Sequence, residues 1–152
     1  MRNLKALAFG VIFTGSVALL SASLNYFVFC ELQKRLEVRV TGRFVPAVFV
    51  TAFRVKNASF SWEDRVRVAR GEIRIGYDPL TIFSEQGIRI VAENSGADIE
   101  LLGRWAEQQG VGSAKLDYLH ADITLGHRKV TAIHAIEARS PSFHFSIKNA
   151  VK

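Results

Sequence analysis

The segment ALAFGVIFTGSVALLSASLNYFVFC, Ala6–Cys30, determines how the rest of this chain is interpreted. It contains no Asp, Glu, Lys, Arg or His, and as a helix rising about 1.5 Å per residue it would be about 37 Å long. That length exceeds the roughly 30 Å of bilayer hydrocarbon. Its Thr and Ser hydroxyls can bond back to the helix backbone, which leaves Asn25 as the one awkward polar side chain. The segment therefore predicts a single transmembrane α-helix that anchors the protein.

A cleaved signal peptide is the alternative interpretation of the same segment. Arg2 and Lys5 would form its basic region, Leu7–Leu20 its apolar region and Ser21–Ser23 its small-residue cleavage site. The apolar run continues as far as Phe29, which a signal peptide does not require. The retained anchor is therefore the preferred prediction.

The charges that flank this segment do not fix its orientation. Arg2 and Lys5 precede it, whereas Lys34, Arg35, Arg39 and Arg43 follow it. This balance leans mildly against a C-terminal domain outside the cytoplasm, although large domains are translocated largely regardless of local charge.

The rest of the composition indicates one modest domain. The chain has 152 residues, so one domain fits after the anchor. The formal net charge of +6 is spread along the chain, and no basic cluster interleaved with aromatic residues forms a nucleic-acid motif, so we expect no nucleic-acid partner. The single cysteine, Cys30, rules out an intramolecular disulfide, and the fold must be held by its core.

After Leu36 the chain changes to alternating apolar and polar residues, a pattern typical of β-strands. The alternation predicts strands over 36–41, 48–62 with a turn or bulge at Asn57–Ser59, 65–68, 72–77, 88–93, 99–101, 116–125 with an irregularity near Leu119–His120, 129–139 and 143–147. Turns are predicted at Glu63–Asp64, Asn94–Gly96, Gly126–His127 and Ser140–Pro141, a capped helical turn at Asp78–Ser84, and a surface excursion over 103–112. The predicted fold class is an N-terminal single transmembrane α-helix followed by a mainly antiparallel β domain, built as a curved sheet, a groove or a sandwich. The predicted boundaries are 1–30 for the N-terminal tail and anchor, 31–36 for a juxtamembrane helix extension and 37–152 for the β domain.

The alternation gives the predicted sheet one apolar face, and that face must be covered. A second layer of the same sheet, a partner protein or lipid could cover it, and the chain offers no further amphipathic helix long enough to do so. If lipid covers it, the candidate lipid-facing residues are Phe53, Val55, Phe60, Trp62, Val66, Val68, Ile73, Ile75, Ile88, Ile90, Phe143 and Phe145.

The strand pattern resembles that of a known family. The segments FRVKNASFSWEDRVRVARGEIRIGYDPLTIF, GIRIVAENSGADIELLG and DITLGHRKVTAIHAIEARSPSFHFSI are similar to the membrane-proximal β-repeat region of AsmA-like proteins. The resemblance lies in the N-terminal anchor, in the alternating strand pair around Gly71–Ile73 and in Tyr77 just before the Asp78–Leu80 break.

The resemblance implies a single-pass anchor in the inner membrane and a β-rich body in the periplasm. Larger members of the family resemble bridge-like lipid transfer proteins, whose β groove conducts phospholipid acyl chains between membranes. This chain is far too short to span a cell envelope. The resemblance transfers no individual binding residue.

No constellation of catalytic or metal-binding residues is apparent in the sequence. The histidines, which are His120, His127, His134 and His144, lack the spacing of a metal site, although His134 and His144 could approach each other across a hairpin. We therefore expect no enzyme, no metal and no cofactor. The predicted function is a membrane-anchored, non-enzymatic β domain that binds or guides lipid, or that scaffolds a machine for lipid transport or envelope assembly. Its expected partners are the membrane, phospholipid acyl chains and another envelope protein.

A structural adaptor is the second hypothesis. In it a closed β-sandwich docks a partner protein by strand addition at an exposed edge. The final strand is the candidate edge, with Phe143, Phe145 and Ile147 as docking residues, since no later helix or loop covers it before Lys152.

Overall fold

A computed structural model describes residues 2–62, 66–104, 107, 112–127 and 129–150. It contains a long N-terminal helix, α1, followed by a seven-stranded antiparallel sheet in which each strand pairs with its neighbours in sequence. The bounds are α1 Arg2–Leu36, β1 Thr41–Pro46, β2 Ala52–Trp62, β3 Val66–Tyr77, β4 Ile88–Leu101, β5 Ser113–Leu125, β6 Val130–Ser140 and β7 Phe143–Ala150. The predicted fold class is confirmed, and the described strands all belong to one sheet rather than to the two layers of a sandwich.

Helix α1 has an exposed part and a packed part. Nearly all side chains over residues 5–16 are exposed, and this includes the large apolar ones. From Leu24 onward one side of the helix packs against the sheet, where Val28 and Leu32 are buried. The helix is long and apolar enough to cross a membrane, and residues 5–23 alone extend about 28 Å at a rise of about 1.5 Å per residue. The part of α1 outside the β domain therefore matches the thickness of a bilayer core.

Helix α1 ends because the backbone of Glu37 adopts a left-handed conformation, with φ of 54°. The next residue, Val38, donates its backbone N–H to the carbonyl of Gln33, as in a Schellman motif. The predicted helix extension is confirmed, whereas the predicted strand over 36–41 is wrong. The alternation there belongs to a helix end and a connector, and β1 begins only at Thr41.

The predicted irregularities in β2 and after β3 are confirmed. Asn57 has φ of 51°, and the pairing of β2 with β3 shifts register on both sides of Ala58. After β3, the carboxylate of Asp78 accepts a hydrogen bond from the backbone N–H of Leu80 at 3.0 Å and caps a short 3-10 turn, Pro79–Thr81. The hairpin turns after β5 and β6 also lie where they were predicted.

The predicted turn at Asn94–Gly96 is wrong, because β4 continues through it with Gly96 at φ of 67°. A Cβ atom on Gly71, in the neighbouring strand β3, would meet both the Asn94 side chain, at 2.7 Å, and the Cβ of Ala97, at 3.3 Å. These side chains therefore share one face although they are three residues apart, an odd spacing that a regular strand would place on opposite faces. The break in alternation lets both halves of β4 direct apolar residues to the same side.

The irregularity predicted near Leu119–His120 lies elsewhere. Both residues pair in register with β4, whereas the register of β5 against β6 shifts between Asp122 and Leu125. The predicted turn at Glu63–Asp64 and most of the predicted excursion over 103–112 fall outside the described residues.

The apolar face of the sheet carries two clusters. The first, the anchor-end cluster, lies where α1 meets the sheet, and its buried members are Val28, Leu32, Phe53, Val55, Ala58, Tyr77, Ile82, Ile88, Ile90 and Leu125. The second, the far-end cluster, consists of buried Val68, Ala97 and Leu116 with partly buried Phe60, Ile99, Leu119 and Ala138. The anchor-end cluster includes residues of α1, whereas these members of the far-end cluster all come from the sheet itself.

Candidate membrane-facing and lipid-facing surfaces

Asn25 joins α1 to the sheet. Its side chain is fully buried, and its amide nitrogen donates to the carbonyls of Ala47 at 2.9 Å and Val50 at 3.1 Å. The hydroxyl of Tyr77 donates to the amide oxygen of Asn25 at 2.7 Å. Burial raises the pKa of the Tyr77 phenol, so the hydroxyl keeps the proton that it donates. The polar group that looked awkward inside a transmembrane segment is therefore a satisfied junction between the helix, the β1–β2 loop and the end of β3.

Aromatic rings fill the space next to this junction. Phe29 of α1 lies with its ring centroid 5.1 Å from that of Phe44 and 5.5 Å from that of Phe53. Tyr26 contacts the Phe44 ring edge to face at 5.6 Å. These contacts place the helix against β1 and β2 in one orientation.

The opposite end of the packed segment is held at β5. Arg35 donates through Nη1 to the carbonyl of Leu125 at 3.3 Å, and its Nε pairs with Glu31 one turn earlier at 3.0 Å. Residues 24–36 therefore cross the end of the sheet from the β1–β2 loop to the end of β5. We call this end, which carries the connections after β1, β3 and β5, the anchor end of the sheet.

Several candidate lipid-facing residues prove to be core residues. Phe53, Val55, Ile88 and Ile90 are buried in the anchor-end cluster beneath α1, so they are not accessible to an acyl chain. Ile73 and Ile75 pack against the same cluster and are partly buried. The prediction failed here because it treated α1 only as an anchor and missed that its C-terminal third covers the sheet.

Three of the remaining candidates, which are Phe60, Val68 and Phe145, lie outside the anchor-end cluster that α1 covers. Phe60 and Val68 belong to the far-end cluster. Phe145 of β7 pairs with Ala138, which packs against that cluster, and 47% of Phe145 is exposed. Ile147 is partly exposed in the same strand. Trp62, Val66 and Phe143 lie in strands, but their side chains are outside the described ones.

The uncovered part of the apolar face extends to the outer strand of the sheet. Within the described part of the chain, β7 pairs only with β6, so its other edge carries no strand. The candidate docking strand is therefore an edge strand in the structure. Strand β1 is the corresponding edge at the other side of the sheet.

The opposite face of the sheet is polar and carries ion pairs. Arg89 on β4 forms two hydrogen bonds with the Asp122 carboxylate on β5, at 3.1 and 2.9 Å. This guanidinium lowers the pKa of Asp122. Hydrogen bonds from Arg139 and His144 likewise lower the pKa of the Glu137 carboxyl. The Arg89–Asp122 and His144–Glu137 pairs link neighbouring strands, whereas Arg139 and Glu137 both lie on β6.

The histidines bind different partners. His134 Nε2 lies 3.0 Å from the Thr124 hydroxyl, whereas His144 Nε2 lies 3.2 Å from the Glu137 carboxylate, so these two rings do not bond to each other. Within the described ranges no group of three or more His, Cys, Asp or Glu side chains could hold a metal ion. Cys30, half-buried on α1, is a free thiol.

Comparison of the chain with protein-family models, with curated proteins and with solved structures found no match in any of the three. The function is therefore inferred from the surfaces described above.

Proposed function

We propose that this protein is a membrane-anchored, non-enzymatic β domain that binds or guides lipid on the uncovered part of its apolar sheet face. The observation that carries the proposal is the unequal covering of that face. Helix α1 buries the anchor end, whereas Phe60, Ile99, Leu119 and Phe145 remain partly exposed beyond it. Three of these side chains belong to the far-end cluster and Phe145 adjoins it through Ala138. An exposed apolar patch is typical of a site for lipid, ligand or protein.

The position of the face relative to α1 supports lipid as the occupant. The exposed part of α1 extends from the anchor end of the domain. The uncovered face therefore lies on the same small domain that α1 holds at the bilayer. The resemblance to AsmA-like proteins supports the same function and further implies the inner membrane, with the β domain in the periplasm. In this proposal the domain holds acyl chains itself or forms part of a larger machine for lipid transport or envelope assembly.

Site-specific photo-crosslinking in membranes tests the proposal. Benzoylphenylalanine replaces Phe60 or Phe145 on the apolar face, and the matched controls carry it at Ser61 or His144, the next residues on the polar face. Phe60 is the sharper position, because at about 3.3 Å per residue it lies about 25 Å along β2 from the anchor end, outside the cluster that α1 covers.

We expect phospholipid adducts at Phe60 and Phe145, detected by mass spectrometry of the protein, and few at the controls. Equal adduct yields at apolar and polar positions would overturn the proposal.

Among the described strands none pairs with the outer edge of β7, and this favours strand addition by a partner protein as a second candidate function. A strand added there would place its apolar side chains beside Phe145. In a pull-down, Phe145→Lys should then reduce partner recovery, whereas His144→Lys, on the opposite face of the same strand, should not. Equal recovery with both variants would contradict docking at this edge.

A further inference from the structure

Two loops at the anchor end expose large apolar side chains. The β1–β2 loop carries Val48, Phe49 and Val50, each at least half exposed. The β3–β4 loop carries Leu80 and Phe83, which are 88% and 86% exposed. Side chains of this size normally pack inside a domain, and five of them at one end of a small sheet form a surface that needs an explanation.

Neither loop is a loose segment whose apolar tip could fold back onto the sheet. In the β1–β2 loop, Ala47 and Ala52 form a backbone hydrogen bond of 3.0 Å, and the carbonyl of Val50 accepts from both the Ala52 N–H and Asn25. Phe49 has φ of 62°, an unfavourable conformation for a bulky residue. The loop therefore holds the Phe49 ring outward at a conformational cost.

The β3–β4 loop is held equally firmly. Asp78 caps its 3-10 turn, and the Thr81 hydroxyl accepts from the backbone N–H of Arg89 at 3.0 Å. Ile82 is buried in the anchor-end cluster, whereas Leu80 and Phe83 on either side of it point away from that cluster and are exposed. The fold thus holds Ile82 inside the anchor-end cluster and keeps Leu80 and Phe83 outside it.

The position of both loops along α1 identifies what they meet. Asn25 bonds directly to the carbonyls of Ala47 and Val50 and to Tyr77, the last residue of β3. Asn25 also lies where the exposed apolar part of α1, residues 5–23, joins the packed part. Tyr26 and Phe27, both substantially exposed, follow it at the same level. Aromatic residues at this position are typical of the membrane–water interface.

We propose that Val48–Val50, Leu80 and Phe83 insert into the leaflet from which α1 emerges, so that the anchor end of the sheet sits on the lipid surface. The occupant of this apolar surface is the phospholipid bilayer around α1. Insertion is shallow, because the exposed carboxylate of Glu85 lies two residues after Phe83 and remains in the headgroup region. This inference concerns membrane seating only and does not depend on lipid handling by the far-end face.

Depth measurements by spin labelling test the insertion. The full chain, with Cys30→Ser, is reconstituted into phosphatidylcholine–phosphatidylglycerol vesicles and carries one nitroxide at Phe49→Cys or Phe83→Cys. Ile12→Cys reports the bilayer interior, and Ser142→Cys reports the exposed β6–β7 turn at the opposite end of the sheet.

We expect labels at 49 and 83 to collide with oxygen more than with a water-soluble nickel complex, at a depth between those of labels 12 and 142. Labels at 49 and 83 as accessible to the nickel complex as label 142 would overturn the proposal. Shielding of these labels from both reagents would also overturn it, because a second copy of the chain would then cover the loops.

A variant with added negative charge distinguishes insertion of the two loops into the bilayer from mere proximity of the loops to it. In the Phe83→Cys protein, Val48→Asp and Leu80→Asp alter only exposed side chains, so the fold should persist, as circular dichroism can check. We expect label 83 to become at least threefold more accessible to the nickel complex, while label 12 does not change. An unchanged label 83 would contradict insertion. Photo-crosslinking at Phe60 would be unaffected by this outcome, so the two proposals can fail separately.

Discussion

The two ends of the apolar sheet face differ in what covers them. At the anchor end, α1 and Ile82 close over the sheet, and the buried polar groups of Asn25 and Tyr77 satisfy each other. At the far end, the described members of the cluster come only from the strands, and several remain partly exposed. The same pattern of alternating residues thus produces a core at one end and an accessible surface at the other. Alternation therefore identifies the apolar face of a sheet, but it does not identify which segment packs against that face.

Truncating one aromatic ring on the covered part of the apolar face and one on its uncovered part should give the largest contrast. We expect Phe53→Ala to lower the free energy of unfolding by about 3–5 kcal/mol, because it leaves a cavity between α1 and β2. Phe145→Ala, on the half-exposed part of the same face, should cost about 1 kcal/mol or less. Denaturant unfolding of the full chain in detergent measures both. Similar losses would mean that the face around Phe145 is covered as well as the anchor end.

Breaking the junction at Asn25 should have the next largest effect. In Asn25→Leu the Tyr77 hydroxyl and the Ala47 carbonyl lose the Asn25 side chain as a partner, whereas the Val50 carbonyl keeps the Ala52 N–H. The loss should cost about 2–3 kcal/mol. Tyr77→Phe should cost about 1–2 kcal/mol, since only the Asn25 oxygen loses its donor. The double variant should cost less than the sum of the two, because they share one hydrogen bond. Strict additivity in denaturant unfolding would show that the bond does not couple helix and sheet.

Gly71 lies at the border between the two clusters and permits a matched test within β3. A Cβ there would meet the Asn94 side chain at 2.7 Å, whereas a Cβ on Gly76 has no atom within 4 Å. We expect Gly71→Ala to destabilise the protein by about 1–2 kcal/mol through crowding. Gly76→Ala should be neutral or slightly stabilising, because it restricts the unfolded chain. Thermal melting of the two variants side by side measures the difference. Equal behaviour would show that Asn94 yields to the added methyl group.

The ion pairs of the polar face should contribute least to the free energy of unfolding, and their contribution should depend on pH. Because Arg89 lowers the pKa of Asp122 in the folded state, this pair stabilises the protein above the ordinary pKa of aspartate and loses its effect as the pH falls through the lowered value. The difference in stability between the unsubstituted protein and Arg89→Leu should therefore be largest at neutral pH. It should shrink once the pH falls below about 4. Unfolding midpoints measured from pH 7 to pH 2 test this. A difference that does not change over that range would assign the effect to packing rather than to charge.

The sequence alone determined the anchor helix, most of the strands and the capped turn at Asp78. These features depend on local chemistry: the apolar length of residues 6–30, a period of two, and a carboxylate beside a proline. The predicted strand at 36–41 and the predicted turn at Asn94–Gly96 were wrong because long-range pairing overrode the local signals. Gly96 permits a break in alternation within a continuous strand, and no local pattern distinguishes that from a turn.

Which apolar residues belong to the core and which to the surface depends on the tertiary structure. Phe53 and Phe60 look equivalent along β2, yet α1 covers the first and does not reach the second. Asn25 likewise changes from an awkward membrane residue to the junction of the fold once Ala47, Val50 and Tyr77 surround it. The physical reason is that burial and hydrogen-bond satisfaction depend on which distant segments meet, and sequence spacing does not contain that information.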